Sequence, residues 1–151
     1  MTLVELLVAM TIVLAVIVVL VAINTFYVRT ARNNIKQIKA FYLAEEGIEA
    51  LRYLRDLGWS ENVATLTLGT PYYLEFDGAM WLPTTTAIYV DGEYERTFTL
   101  TAVNRDANDQ IAVSGTNDPE TFKTTINVSW SSGTSTTTKT LSSYVNNLFQ
   151  N

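Results

Sequence analysis

The sequence predicts an α+β protein. One long N-terminal α-helix, a hydrophobic stem continued by an amphipathic half, packs on a C-terminal antiparallel β-sheet of about four strands. Three observations predict it. Met1 to Ile23 is an apolar run whose only charged side chain is Glu5, and it holds neither Gly nor Pro. Apolar residues then recur at helical intervals as far as Leu54, and the first Pro is Pro71. Beyond Gly58 the chain breaks into short alternating segments punctuated by Gly, Pro and Asx turns, the mark of antiparallel strands. Strands that follow a helix, rather than alternating with helices, define this class.

The stem, residues 1–28, has the length that crosses the ~30 Å hydrocarbon core of a bilayer at ~1.5 Å per residue. A buried helix of a soluble core is the bland alternative, but apolarity on every side argues for a membrane segment. A secretory signal would begin basic and end at small residues. Here Asn24, Thr25, Phe26 and Tyr27 follow the run, and the first basic residues, Arg29, Arg32, Lys36 and Lys39, come after it. The positive-inside rule alone would place the rest of the chain in the cytoplasm. The alternative is a mature chain whose basic leader was removed just before Met1. Glu5 is costly inside hydrocarbon without a partner, and it lies one helical turn from the Met1 amine.

Residues 29–151 read as one globular head. Its helical part, 29–57, carries Leu43, Gly47, Leu51 and Leu54 on one face with Ala44 and Ile48 beside them. Glu45, Glu49, Arg52 and Asp56 lie opposite, where Glu49–Arg52 and Arg52–Asp56 pairs are expected. Gly58 is the predicted helix stop. Residues 58–86 read as a loop with one candidate strand, Tyr72–Phe76, and the sheet occupies 87–145. Ala87–Val90, Asp91-Gly92 and Tyr94–Val103 form a hairpin, because Asp-Gly suits a tight turn. Phe98, Leu100 and Ala102 alternate with threonines. Phe122, Thr124, Ile126, Val128 and Trp130 share one strand face, with Lys123, Thr125, Asn127 and Ser129 on the other. Ser131-Ser132-Gly133 turns the chain into a last strand, Thr136–Val145.

Charge divides along the same line. The net charge is −5, yet residues 1–55 carry six basic and four acidic side chains, and residues 56–151 four and eleven. The stem past the membrane is basic and the head acidic. Contact with anionic lipid and ordinary solubility account for this, and so does a basic stem meeting acidic neighbours in an assembly. There is no strong nucleic-acid signal. With no Cys and no His in 151 residues, disulfides, thiol nucleophiles and His-based triads are excluded, so no enzyme and no cofactor is expected.

Other candidates have plainer readings. Asn104-Arg105-Asp106-Ala107-Asn108-Asp109, with Asn117-Asp118-Pro119-Glu120 nearby, is oxygen-rich but lacks EF-hand spacing, so Asx turns are favoured over calcium and no metal is expected. Ser or Thr fills eleven of the fifteen positions from Ser129 to Ser143, which suits an exposed strand. Asn127-Val128-Ser129 matches a glycosylation acceptor but falls inside a strand. Trp59, Trp81 and Trp130 are read as core or interface aromatics.

The start of the chain resembles the type IV pilin and pseudopilin family. Mature members begin with a methylated residue, usually Phe but sometimes Met, followed by T-L-[VI]-E-L-[LM]; Met1, Thr2, Leu3, Val4, Glu5, Leu6 and Leu7 fit position by position. The resemblance covers roughly the first thirty residues. More loosely, Ala44-Glu45-Glu46-Gly47-Ile48-Glu49 and Val128-Ser129-Trp130 look like minor pilins. The chain has Leu14 and Ala22 where many members carry a Gly and a Pro that let the helix unwind, and it lacks the Cys of a C-terminal loop. The resemblance implies a structural subunit, N-methylated at Met1 by a prepilin peptidase/N-methyltransferase. It further implies a pool in the inner membrane and assembly by a platform and ATPase into a cell-surface filament for adhesion, motility or DNA uptake. Glu5 would pair with the Met1 amine of a neighbouring subunit, and Leu3, Leu6, Leu7, Met10, Val13, Leu14 and Ile17 would pack the filament core. A pseudopilin of a secretion system and a membrane-anchored binding domain that never polymerises are the rivals.

Overall fold

A computed structural model of the chain describes residues 2–133 and 135–148. In order along the chain, the elements are α1 (Leu3–Leu57), α2 (Trp59–Asn62), β1 (Tyr72–Phe76), β2 (Trp81–Thr84), β3 (Tyr89–Val90), β4 (Tyr94–Arg105), β5 (Ile111–Ala112), β6 (Thr116–Ser132) and β7 (Ser135–Asn146). The chain divides into two compact units, one ending at Ile38 and one beginning at Lys39.

From Leu3 to Ile38 the chain is helix, and every residue from Thr2 to Ile35 is exposed. Leu14 and Ala22 lie within unbroken helix, as does the β-branched run Ile17-Val18-Val19. With Val16 before it the run holds four β-branched residues, each costing only about half a kcal/mol relative to Ala, too little to interrupt so long a ladder.

In the second unit the last part of α1 packs on the sheet. Ala40, Ala44, Gly47, Ala50, Leu51 and Leu54 are buried at three- and four-residue spacing, with Leu43 and Ile48 partly buried beside them. Small residues let the helix approach closely. A Cβ on Gly47 would lie 3.2 Å and 3.3 Å from Cγ2 and Cδ1 of Ile126. The helix stops where expected, at Gly58, whose N–H reaches the carbonyls of Leu54 and Arg55 at 3.3 and 3.2 Å. Of the two surface pairs expected, Arg52 holds Glu49. Asp56 is instead held by its neighbour Arg55 at 2.7 Å, a shorter reach than the turn back to Arg52.

The sheet is antiparallel, ordered β2-β1-β4-β6-β7, with β3 and β5 also pairing to β4. It has seven strands among the described residues, not four. Two of the additional strands come from residues 58–86: β1 is the expected candidate strand Tyr72–Phe76, and β2 is a strand whose aromatic pairing the Gly and Pro punctuation masks. Tyr72 stacks on Phe98 with centroids 5.6 Å apart, and Phe76 meets Trp81 at 5.2 Å. Pro83 is tolerated because β2 is an edge strand. The Asp91-Gly92 turn behaves as expected. Both residues have positive φ, 52° and 67°, and Glu93 N–H closes on Val90 O at 3.1 Å, as a type I′ turn requires.

The expected faces of β6 hold, with Phe122, Thr124, Ile126, Val128 and Trp130 all buried. In β4 the expectation fails at one residue. Register passes from Ala102↔Phe122 to Val103↔Asp118, leaving Pro119, Glu120 and Thr121 without partners in β4. This bulge inverts the side-chain alternation, so Ala102 is exposed and Val103 is buried. Arg105 clamps the bulge through Nε to Asp118 Oδ2 at 2.6 Å. Gly115 is needed nearby, because a Cβ there would sit 2.0 Å from the Arg105 carbonyl oxygen.

Candidate functional site: the apolar N-terminal helix

The segment of α1 up to Ile23 is long and apolar enough to cross a membrane, and none of that hydrophobic window is buried. The predicted packing residues Leu3, Leu6, Leu7, Met10, Val13, Leu14 and Ile17 are all half or more exposed. At ~100° per residue they fall within an arc of roughly 120°. Glu5 does not share that arc. It lies on the opposite side of the helix, among Ile12, Val16 and Ile23 on the same rotation. The helix is therefore apolar on every face, and no single stripe distinguishes an inside from an outside.

Polar groups in this segment are turned back onto the helix itself. Thr11 Oγ1 donates to the Val8 carbonyl at 2.8 Å, and Thr25 Oγ1 to the Val21 carbonyl at 2.9 Å. Glu5 belongs to a reciprocal cap. Thr2 N–H donates to Glu5 Oε2 at 3.3 Å, and Glu5 N–H donates to Thr2 Oγ1 at 3.4 Å. This is the capping box, Ser/Thr-x-x-Glu, which satisfies two helix-end donors at once. The sequence carries that signal in Thr2-Leu3-Val4-Glu5, and a bond from Glu5 to its own chain is the expectation for a carboxylate held in a membrane before assembly. Met1, the other member of the expected ion pair, lies outside the described residues.

The head uses its charges structurally. Arg96, 3% exposed, is paired with the Glu46 carboxylate, donates to Leu43 O at 3.3 Å and stacks 5.0 Å over the Trp81 ring. It ties β4 to α1, and Arg96 inside an alternating apolar strand was its sequence signal. In the oxygen-rich loop, Asp106 Oδ1 accepts the N–H groups of Asn108 and Gln110 at 2.8 and 3.0 Å, an Asx turn. Among the described residues no cluster of three or more acidic side chains could hold a metal ion. Asn127 Oδ1 accepts from Thr140 Oγ1 at 2.7 Å within the paired strands. A cleft of about 670 Å³ lies between α2 and the β6 bulge. Its aromatic floor, Trp59 stacked on Phe122, is buried, and Glu120 is taken by Asn147 at 2.7 Å.

The fold and this segment define a class: an α+β head carried on a helix of membrane-spanning length. Comparison with known protein families, with characterised proteins and with solved structures found no match.

Proposed function

We propose that the chain is a type IV pilin-like structural subunit, held in the inner membrane and polymerised through its N-terminal helix into a cell-surface filament. The observation that carries the reading is a helical segment, residues 3–23, apolar on all faces, exposed throughout and carrying a single carboxylate at position 5. A helix of this kind needs apolar surroundings on every side, which lipid supplies before assembly and neighbouring stems supply after it. Exchange of lipid for neighbouring stems gains little hydrophobic free energy, since the stem never enters water. Assembly therefore needs an external motor and a contact that fixes axial register. Glu5 paired with the Met1 amine of a neighbour provides that contact, and the pair is neutral where isolated charges are expensive. Prepilin peptidase, platform and ATPase belong to this reading as partners. Electron microscopy of sheared cell-surface material, with an antibody against the head, tests it: labelled filaments are expected, and label confined to the membrane overturns it.

The capping box favours a second reading, a single-pass anchored domain that never polymerises. Thr2 already gives Glu5 a hydrogen-bond partner in its own chain, so no neighbour is required. That reading expects membrane label alone in the same experiment.

A further inference from the structure

Just past the apolar run, the helix carries residues in the order a membrane interface demands. Phe26 and Tyr27 come first, both about two-thirds exposed, their rings edge-on at 6.0 Å. Tyr27, with an apolar ring and a polar hydroxyl, is of the type that collects at this depth, and Phe26 packs beside it. Arg29 and Arg32 follow, three residues apart and so on one side of the helix. With Val21, Asn24, Thr25 and Val28 they line a shallow groove running along that side. Both guanidinium groups are exposed and have no hydrogen-bond or ion-pair partner among the described residues. The next two cations are engaged: Lys39 holds Asp91 at 2.6 Å, and Lys36 has a partner of its own. No carboxylate occurs between Glu5 and Glu45 to compete for the arginines.

We propose that Arg29 and Arg32 form a docking site for the headgroup phosphate of an anionic phospholipid, fixing the depth at which the helix sits. The proposal rests on α1 spanning a membrane. At ~1.5 Å per residue, Arg29 lies about 9 Å and Arg32 about 13 Å beyond Ile23 along the axis. A headgroup layer is about 5–8 Å thick on each side. Helical side chains lean toward the helix N-terminus, which here means back toward the bilayer, and a long arginine covers the remaining distance. The planar guanidinium fork matches phosphate oxygens in a way a point charge does not. An acidic face of a second copy offers the same charge. The phospholipid is favoured because the site continues directly from the apolar run and its aromatic collar.

The test reconstitutes the full chain in phosphatidylcholine vesicles and measures its association with spin-labelled phosphatidylglycerol against spin-labelled phosphatidylcholine. A phosphatidylglycerol preference is expected, about fivefold for each guanidinium and weakened by high salt. R29Q/R32Q should bring the ratio close to one, and R29K/R32K, which keeps the charge and loses the fork, should fall between that and the unsubstituted chain. Extraction with alkaline carbonate reads insertion separately. A chain that is extracted overturns the spanning reading and the proposal together, whereas an inserted chain without the preference overturns the proposal alone. A preference that survives in R29Q/R32Q also overturns it. If that variant then loses self-association in phosphatidylcholine, the site belongs to a second copy.

Discussion

The first and last parts of α1 share one backbone ladder but depend on different surroundings. From Ala40 to Leu54 a single face is buried, and Glu45, Glu49 and Arg52 keep the other in water. Two of those residues, Leu51 and Leu54, are each about 2% exposed, and burial of a leucine contributes about 1.5–3 kcal/mol. From Leu3 to Ile23 no face is buried and every face is apolar. The division into an apolar and a polar side, which marks a packed helix, is present in one part and absent from the other. A helix can thus be stabilised by its own domain over one stretch and require an external apolar medium over the next.

The largest expected effect separates the two parts. A chain beginning at Arg29 should lose membrane partition completely in vesicle flotation, while the head keeps its cooperative melting transition. Loss of that transition would show that the head depends on the stem. Next comes Glu5→Ala. If a neighbour's amine is its partner, assembly should weaken by about 3–5 kcal/mol, measured as filament yield, because a buried charge is left unpaired. Thr2→Ala removes only the cap, worth about 0.5–2 kcal/mol. Equal losses from the two substitutions would reduce Glu5 to its capping role. Head melting should not change in either.

Within the head, Gly47→Leu should destabilise by about 1–3 kcal/mol in denaturant titration, because the Ile126 side chain already occupies the space. Gly47→Ala should be close to neutral. Its gain in helix propensity, about 1 kcal/mol, is offset by contacts of 3.2 and 3.3 Å that Ile126 must relax. Membrane partition should not respond to either substitution.

What could be read in the sequence followed periodicity. The 43–54 face, the β6 alternation, the Asp91-Gly92 turn and the Gly58 stop all depend on residues close in sequence, and the structure reproduces them. The misses depend on long-range pairing. Trp81 joins the sheet because Phe76 and β1 are there to receive it. Ala102 turns outward because Pro119, Glu120 and Thr121 bulge on a strand more than a dozen residues away. At the candidate site, apolarity and the lone carboxylate were plain, whereas Thr2 as the capping partner of Glu5 was overlooked although its signal is local. The position of Glu5 opposite the expected packing stripe required only a helical wheel. What surrounds that wheel, lipid or other chains, lies outside the chain's own contacts.

The smallest expected effect is a pH dependence confined to the head. Asp118 accepts Nε of Arg105 at 2.6 Å, and that hydrogen bond holds its carboxyl below the usual carboxylate value, with the Glu120 N–H assisting. Asp77 is lowered in the same direction by the backbone N–H groups of Met80 and Ala79. A carboxyl whose folded value is depressed stabilises the fold above its unfolded value, near 3.8 for Asp, and that contribution disappears as pH falls through the lower folded value. Head melting temperature should therefore stay level from neutral pH down to about 4 and decline below it. Asp118→Asn should flatten part of that decline and lower the neutral-pH melting temperature by only a few degrees, since Arg105 is one-third exposed and water screens the pair. Membrane partition of the full chain should not follow the same curve, because its apolar helix contains no group that reports on Asp118. An unchanged acid decline in Asp118→Asn would shift the dependence to other carboxylates and leave the bulge held by backbone pairing alone.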